Sequence, residues 1–112
     1  MPIATVNPAD GRTVETFEPL DAAAVEQRLA RAEAAFVQWR LTSFAQRAAL
    51  MHRAADLLDE RNEQVARTMT LEMGKTLVSA RAEAAKCAKS MRWYADHAER
   101  LLADEHPDPA DV

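Results

Sequence analysis

Glycine is almost missing from this chain, which has only Gly11 and Gly74 in 112 residues. Two isolated glycines cannot build the turn in which backbone N–H groups approach a dinucleotide pyrophosphate. No nicotinamide site is therefore expected from this chain alone. Cysteine is limited to Cys87. A lone cysteine closes no internal disulfide and supplies one ligand where a structural zinc takes four, so reducing surroundings, and by default the cytoplasm, are expected. No apolar run reaches the 18 residues of a membrane span, and the N-terminus lacks the basic-then-apolar order of a signal peptide, so no membrane partner is expected. Basic charge is in deficit, with 14 Lys and Arg against 18 Asp and Glu. That balance, with the two signs interleaved, argues against a nucleic-acid partner. Aromatics make up only 5% of the residues. A core must then come from Ala, Leu, Val and Met, and the abundance of alanine favours helix.

What is present has two textures, within a length that suits one small domain. Residues 1–20 read as strand, turn, strand. Ile3 to Val6 is β-prone, Asn7-Pro8-Ala9-Asp10-Gly11 is dense in turn formers, and Thr13 to Phe17 is β-prone again. Residues 21–105 are helical in period, and 106–112, with Pro107 and Pro109, form a tail expected to be mobile.

Four helices are predicted, at about 21–40, 43–61, 62–74 and 76–104. Asp21 is a good N-cap for the first, whose Val25, Leu29, Ala32, Phe36 and Trp39 recur at helical spacing. Ser43 with Gln46 forms a capping-box pattern ahead of a stripe of Leu50, Met51, Ala54, Leu57 and Leu58. After the polar run from Asp59 to Asn62, Val65, Ala66, Met69 and Met73 continue as a third helix, which Gly74 ends. Thr76 caps the fourth, where Leu77, Ala80, Ala84, Cys87, Met91, Tyr94, Ala98 and Leu101 predict one long buried seam. The fold class is mainly α with a short N-terminal β-ribbon.

Several features imitate chemistry. Gly74-Lys75-Thr76 looks like the end of a phosphate-binding loop, but Met69 stands where that motif needs its first glycine, and the approach is helical. A helix end is the better reading. Cys87 is a possible nucleophile, yet its place between Ala84 and Met91 marks it as a small hydrophobe on the buried face. His52 and His97 have no companions at metal-ligand spacing and read as surface or helix-packing residues. Asp59 and Glu60 read as a solvated pair at a helix boundary. Trp39, Trp93 and Tyr94 are too scattered for a base-stacking platform. No catalytic, cofactor-binding or metal-binding residue is assigned.

In order and spacing, TVNPADG, AEAAFVQWR, RAALMHRAADLLDER, TLEMGKT and KSMRWYADHAE resemble the N-terminal segment of the aldehyde dehydrogenase superfamily. The resemblance covers roughly Ile3 to Glu105, and LEMGKT with AEAAKCAKSMRWYADHAE is most similar to bacterial NAD(P)-dependent succinate-semialdehyde dehydrogenases. It implies an intact, homo-oligomeric enzyme that oxidises an aldehyde to an acid with NAD or NADP. A cysteine thiolate attacks the aldehyde, hydride passes to the nicotinamide, and a glutamate helps water hydrolyse the thioester. The residues for those roles lie beyond the position matching Val112, and neither TLEMGKT nor Cys87 matches them. The segment would belong to the cofactor-binding domain, with its helices against a Rossmann-like sheet. Some members hold a monovalent cation near the first strand. Thr5 and Val6 resemble part of that site, but no carboxylate partner accompanies them, so no cation is assigned. The expectation is a partial aldehyde dehydrogenase, inactive alone, with Phe36, Trp39, Leu58 and the fourth-helix seam left to pack on the rest of the enzyme or to self-associate. The alternative is a free-standing helical adaptor.

Overall fold

The computed structural model describes residues 3–106. Strands β1 (Ile3–Val6) and β2 (Thr13–Phe17) are followed by helices α1 (Ala22–Trp39), α2 (Phe44–Glu60), α3 (Asn62–Met73) and α4 (Leu77–Leu101). Element order and type agree with the sequence reading. Only the end of α4 differs by more than a residue or so, stopping at Leu101 rather than near 104. Continuing it would place Asp104 and Glu105 at the negative end of the helix dipole, where acidic groups are unfavourable. Of the tail 106–112, only His106 is among the described residues, and the expected mobility of the remainder falls outside them.

The strands pair antiparallel, with Ile3 opposite Phe17 and Thr5 opposite Glu15, and the register shifts between Thr5 and Val6. The turn is closed from both sides. Asn7 N–H donates to Arg12 O and Gly11 N–H to Asn7 O, each at 2.8 Å. Asn7 Oδ1 accepts from Ala9 N–H and Asp10 Oδ1 from Arg12 N–H, each at 3.0 Å.

Helix starts are set locally, as the sequence implies. Asp21 Oδ1 accepts from Ala24 N–H at 2.7 Å, and Thr76 Oγ1 accepts from Ser79 N–H at 3.4 Å. At Ser43 the capping box is complete, with Ser43 Oγ accepting from Gln46 N–H and Gln46 Oε1 from Ser43 N–H. Arg61 alone separates α2 from α3, at φ −102 and ψ 15. Gly74 ends α3 at φ 71, the left-handed conformation that disfavours any residue with a Cβ.

α4 packs along both α2 and α3. The fully buried residues there are Ala55, Ala66, Ala80, Ala84 and Ala88, and among the described residues nothing larger is as deeply enclosed. Here the sequence reading is corrected. The buried row of α4 runs through Ala80, Ala84 and Ala88, not through Cys87, which is exposed. Tyr94 and Leu101, also placed on the seam, are exposed as well. Helices meeting through methyl groups approach closely, so the closest line of contact selects alanine over larger apolar residues nearby.

α1 buries none of its residues. Arg47 fixes its corner with α2. Arg47 Nε donates to Thr42 Oγ1 at 2.9 Å and Nη2 to Thr42 O at 3.0 Å, with longer 3.4 Å approaches to Trp39 O and Arg40 O. The guanidinium also lies 5.7 Å from the Trp39 ring centre and 5.8 Å from that of Phe44. The molecule is consequently extended. Its radius of gyration is 20.0 Å, against about 13 Å for a compact domain of this length.

Candidate functional site

The groups that imitate a phosphate-binding loop in the sequence have structural partners here. Gly74 N–H donates to Thr70 O at 3.0 Å, Lys75 Nζ pairs with Glu83 Oε2, and Thr76 caps α4. The three groups that would cradle a phosphate are thus committed elsewhere. A nucleotide diphosphate does not fit Gly11 either, because that glycine turns a hairpin whose N–H groups bond within the turn. Both glycine N–H groups are thus taken up by backbone carbonyls.

The histidines are similarly engaged. His52 Nε2 lies 2.8 Å from Asp96 Oδ1, joining α2 to α4. His97 Nδ1 is 2.6 Å from Trp93 O, and its ring stacks on Trp93 at a centroid distance of 4.3 Å. Among the described residues no three His, Cys, Asp or Glu side chains converge as a metal site would require. Thr5 Oγ1 is shielded from solvent without a hydrogen-bond partner, an isolated polar atom on β1. Cys87 faces solvent in a shallow concavity with Lys75, Glu83 and Lys86, rather than in the core where the sequence reading put it.

Sequence reasoning missed the ion pairs that lace α4 to its neighbours. Arg92 Nη2 reaches Asp56 Oδ1 and Asp59 Oδ2 of α2, each at 2.7 Å. Asp59, read as part of a solvated boundary, is therefore a tie between helices. Arg81 grips Glu63 of α3 with two bonds, at 2.6 and 3.0 Å. The hydrogen bond from Arg92 holds the Asp56 carboxyl below its ordinary range, opposed by partial desolvation. Arg81 does the same for Glu63, and Lys75 for Glu83. Arg81 and Glu63 stand 18 positions apart, and Arg92 and Asp56 stand 36 apart, beyond the reach of helical periodicity. They are mutually satisfied pairs.

Apolar surface is also left uncovered. A groove of about 370 Å³ runs between the α1–α2 corner and α4, walled by Trp39, Phe44, Leu50, Met51 and Tyr94. Along α1, Val25, Leu29, Phe36 and Val37 are all exposed. No helix among the described residues is long and apolar enough to cross a membrane.

A helical scaffold with its own ion pairs and a bare apolar face matches part of a known enzyme architecture. The sequence profile of the aldehyde dehydrogenase family matches residues 1–111, and the chain belongs to that family. It is 55% identical over 112 residues to succinate-semialdehyde dehydrogenase [NADP(+)] 1 of Mycobacterium tuberculosis, covering all of this chain and 24% of that protein. The succinate-semialdehyde dehydrogenase [NADP(+)] of Mycobacterium avium is 56% identical over 113 aligned residues, again across all of this chain and 24% of its own length. The fold matches the crystal structure of succinic semialdehyde dehydrogenase from Streptococcus pyogenes in complex with NADP+, with a TM-score of 0.86 and 27% identity over 94% of this chain and 23% of that one. The chain thus spans about a quarter of the length of the curated relatives it matches, in their N-terminal region. A match that covers the whole chain favours the dehydrogenase reading over the free-standing adaptor.

Proposed function

We propose that this chain serves as the N-terminal scaffold of a cytoplasmic succinate-semialdehyde dehydrogenase that oxidises its substrate to succinate with NADP+. The observation that carries the reading is the 55% identity over 112 residues, covering all of this chain, to the mycobacterial NADP(+) enzyme. NADP+ is preferred to NAD+ because both mycobacterial relatives are named for it. The role of this segment is to supply shape rather than chemistry. Its helix caps and ion pairs are made within the segment, its glycines turn the chain, and its apolar face is free for packing.

The test is a chimera in which this chain replaces the matching N-terminal stretch of the Mycobacterium tuberculosis enzyme. The expected outcome is succinate-semialdehyde-dependent formation of NADPH, with a KM close to that of the parent. A soluble chimera that forms no NADPH from succinate semialdehyde would overturn the reading of this chain as that enzyme's N-terminal scaffold. The 112-residue chain alone is expected to form no NADPH under the same conditions.

A further inference from the structure

The junction between α2 and α3 is a helix break that its own sequence does not call for. A helix breaks sharply at proline, at glycine or serine pairs, or where another group enters its hydrogen-bond ladder. From Phe44 to Met73 there is no proline, glycine or serine. Arg61, which makes the break, is a good helix former and gives α3 no side-chain cap. Its φ of −102 and ψ of 15 nevertheless leave the helical region. The ladder runs as far as Arg61 N–H on Leu57 O and resumes at Val65 N–H on Arg61 O, each at 3.0 Å.

The cause lies on α4. Immediately after the break, Asn62 Nδ2 donates to Arg81 O at 3.0 Å. The next residue, Glu63, accepts from Arg81 Nε and Nη2 at 2.6 and 3.0 Å, and from Arg67 of its own helix at 2.9 Å. One residue of α4 thus holds two successive residues of α3, through its carbonyl and its guanidinium. The contacts also record the change of course. From His52–Asp96 to Asn62–Arg81 the chain advances ten positions on one side and retreats fifteen on the other. A straight antiparallel pair moves equally on both, because the rise per residue is the same. At the far end of α3, Gly74 lies so close to the hairpin that an added Cβ would stand 2.9 Å from Pro8 Cγ. The course of α3 therefore sets where the hairpin rests.

We propose that Arg81 is the latch of a two-state element. With Arg81 engaged, α2 and α3 are bent. With Arg81 released, residues 44–73 run as one continuous helix and the hairpin loses its seat on the α3–α4 corner. The bent form gives up backbone bonds across the junction and gains the Arg81 contacts, and the straight form does the opposite.

The test is single-molecule energy transfer on the full 112-residue chain at picomolar concentration, where copies do not meet. Dyes are placed at Ala45→Cys and Glu72→Cys, both exposed positions, in a Cys87→Ser background. A continuous helix separates the two positions by about 40 Å, and the bent form holds them closer. The parent chain is expected to show the shorter separation. Asn62→Ala with Arg81→Ala should raise the straight-to-bent ratio about tenfold, as the loss of such bonds does, with the helical circular dichroism retained. Adding Arg61→Gly, which penalises a continuous helix, should restore the short separation. An unchanged separation in the double variant overturns the proposal, as does a parent chain that is already straight. So does a loss of helical signal, or a failure of Arg61→Gly to reverse the change.

Discussion

Glycine and alanine, the residues with the least side chain, carry the structural decisions of this chain. Gly11 and Gly74 have nearly the same φ, 72 and 71, but different surroundings. A Cβ at Gly11 meets nothing within 4 Å, whereas one at Gly74 comes within 2.9 Å of Pro8 Cγ in the hairpin turn. Gly11→Ala should therefore cost only the left-handed penalty, about 1–2 kcal/mol. Gly74→Ala pays that penalty and must also displace the proline ring. Its urea midpoint is expected below that of Gly11→Ala, and equal midpoints would show that the hairpin does not rest on the α3–α4 corner. The two faces of α4 separate in the same way. Ala84→Leu pushes three extra carbons into the closest helix contact, at about 1–3 kcal/mol, while Cys87→Ser at the exposed position should stay within about 0.5 kcal/mol. The reverse ranking in chemical denaturation would restore Cys87 to the core. Gly74 was legible in the sequence because a helix C-terminus advertises its glycine. The phase of α4 was not, because alanines on several faces give apolarity no preferred direction.

Helices α2, α3 and α4 hold together through alanine contacts and through ion pairs at their margins. Asp56, Glu63 and Glu83 all have carboxyls held below their ordinary range, by Arg92, Arg81 and Lys75 in turn. A carboxyl depressed in the folded state contributes stability that is fully present above its unfolded pKa, near 4. That contribution is lost as the pH falls through the lower folded value. Helical melting should therefore change little from pH 7 to 5 and move to lower temperature from pH 4 toward 2. Arg92→Met, which removes the shared partner of Asp56 and Asp59, should flatten part of that acid limb. A variant with an unaltered pH profile would mean that the pair contributes nothing in solution. The caps at Asp21, Ser43 and Thr76 were readable because they act over three residues. The ties of Arg92 and Arg81 were not, since no local rule selects a partner on another helix.

As a whole molecule the chain is an extended scaffold, 63 Å in its longest dimension, with its large apolar side chains outward. An isolated sample should bind an apolar-surface dye, self-associate as concentration rises, and melt over a broad range. A monomer with a sharp transition and no dye binding would contradict this description. The physical origin is the balance of areas: methyl-sized contacts between α2, α3 and α4 bury little, and α1 buries nothing. The order of elements and their caps and turns were settled by local chemistry, which acts over a few residues and is written in their order, and the family was legible through the resemblance of strings along the chain. The rotation of α4, the helix-to-helix ion pairs and the standing-off of α1 were settled only when the helices met. They depend on which side chains permit the closest approach, a property of two surfaces together that neither sequence segment carries alone.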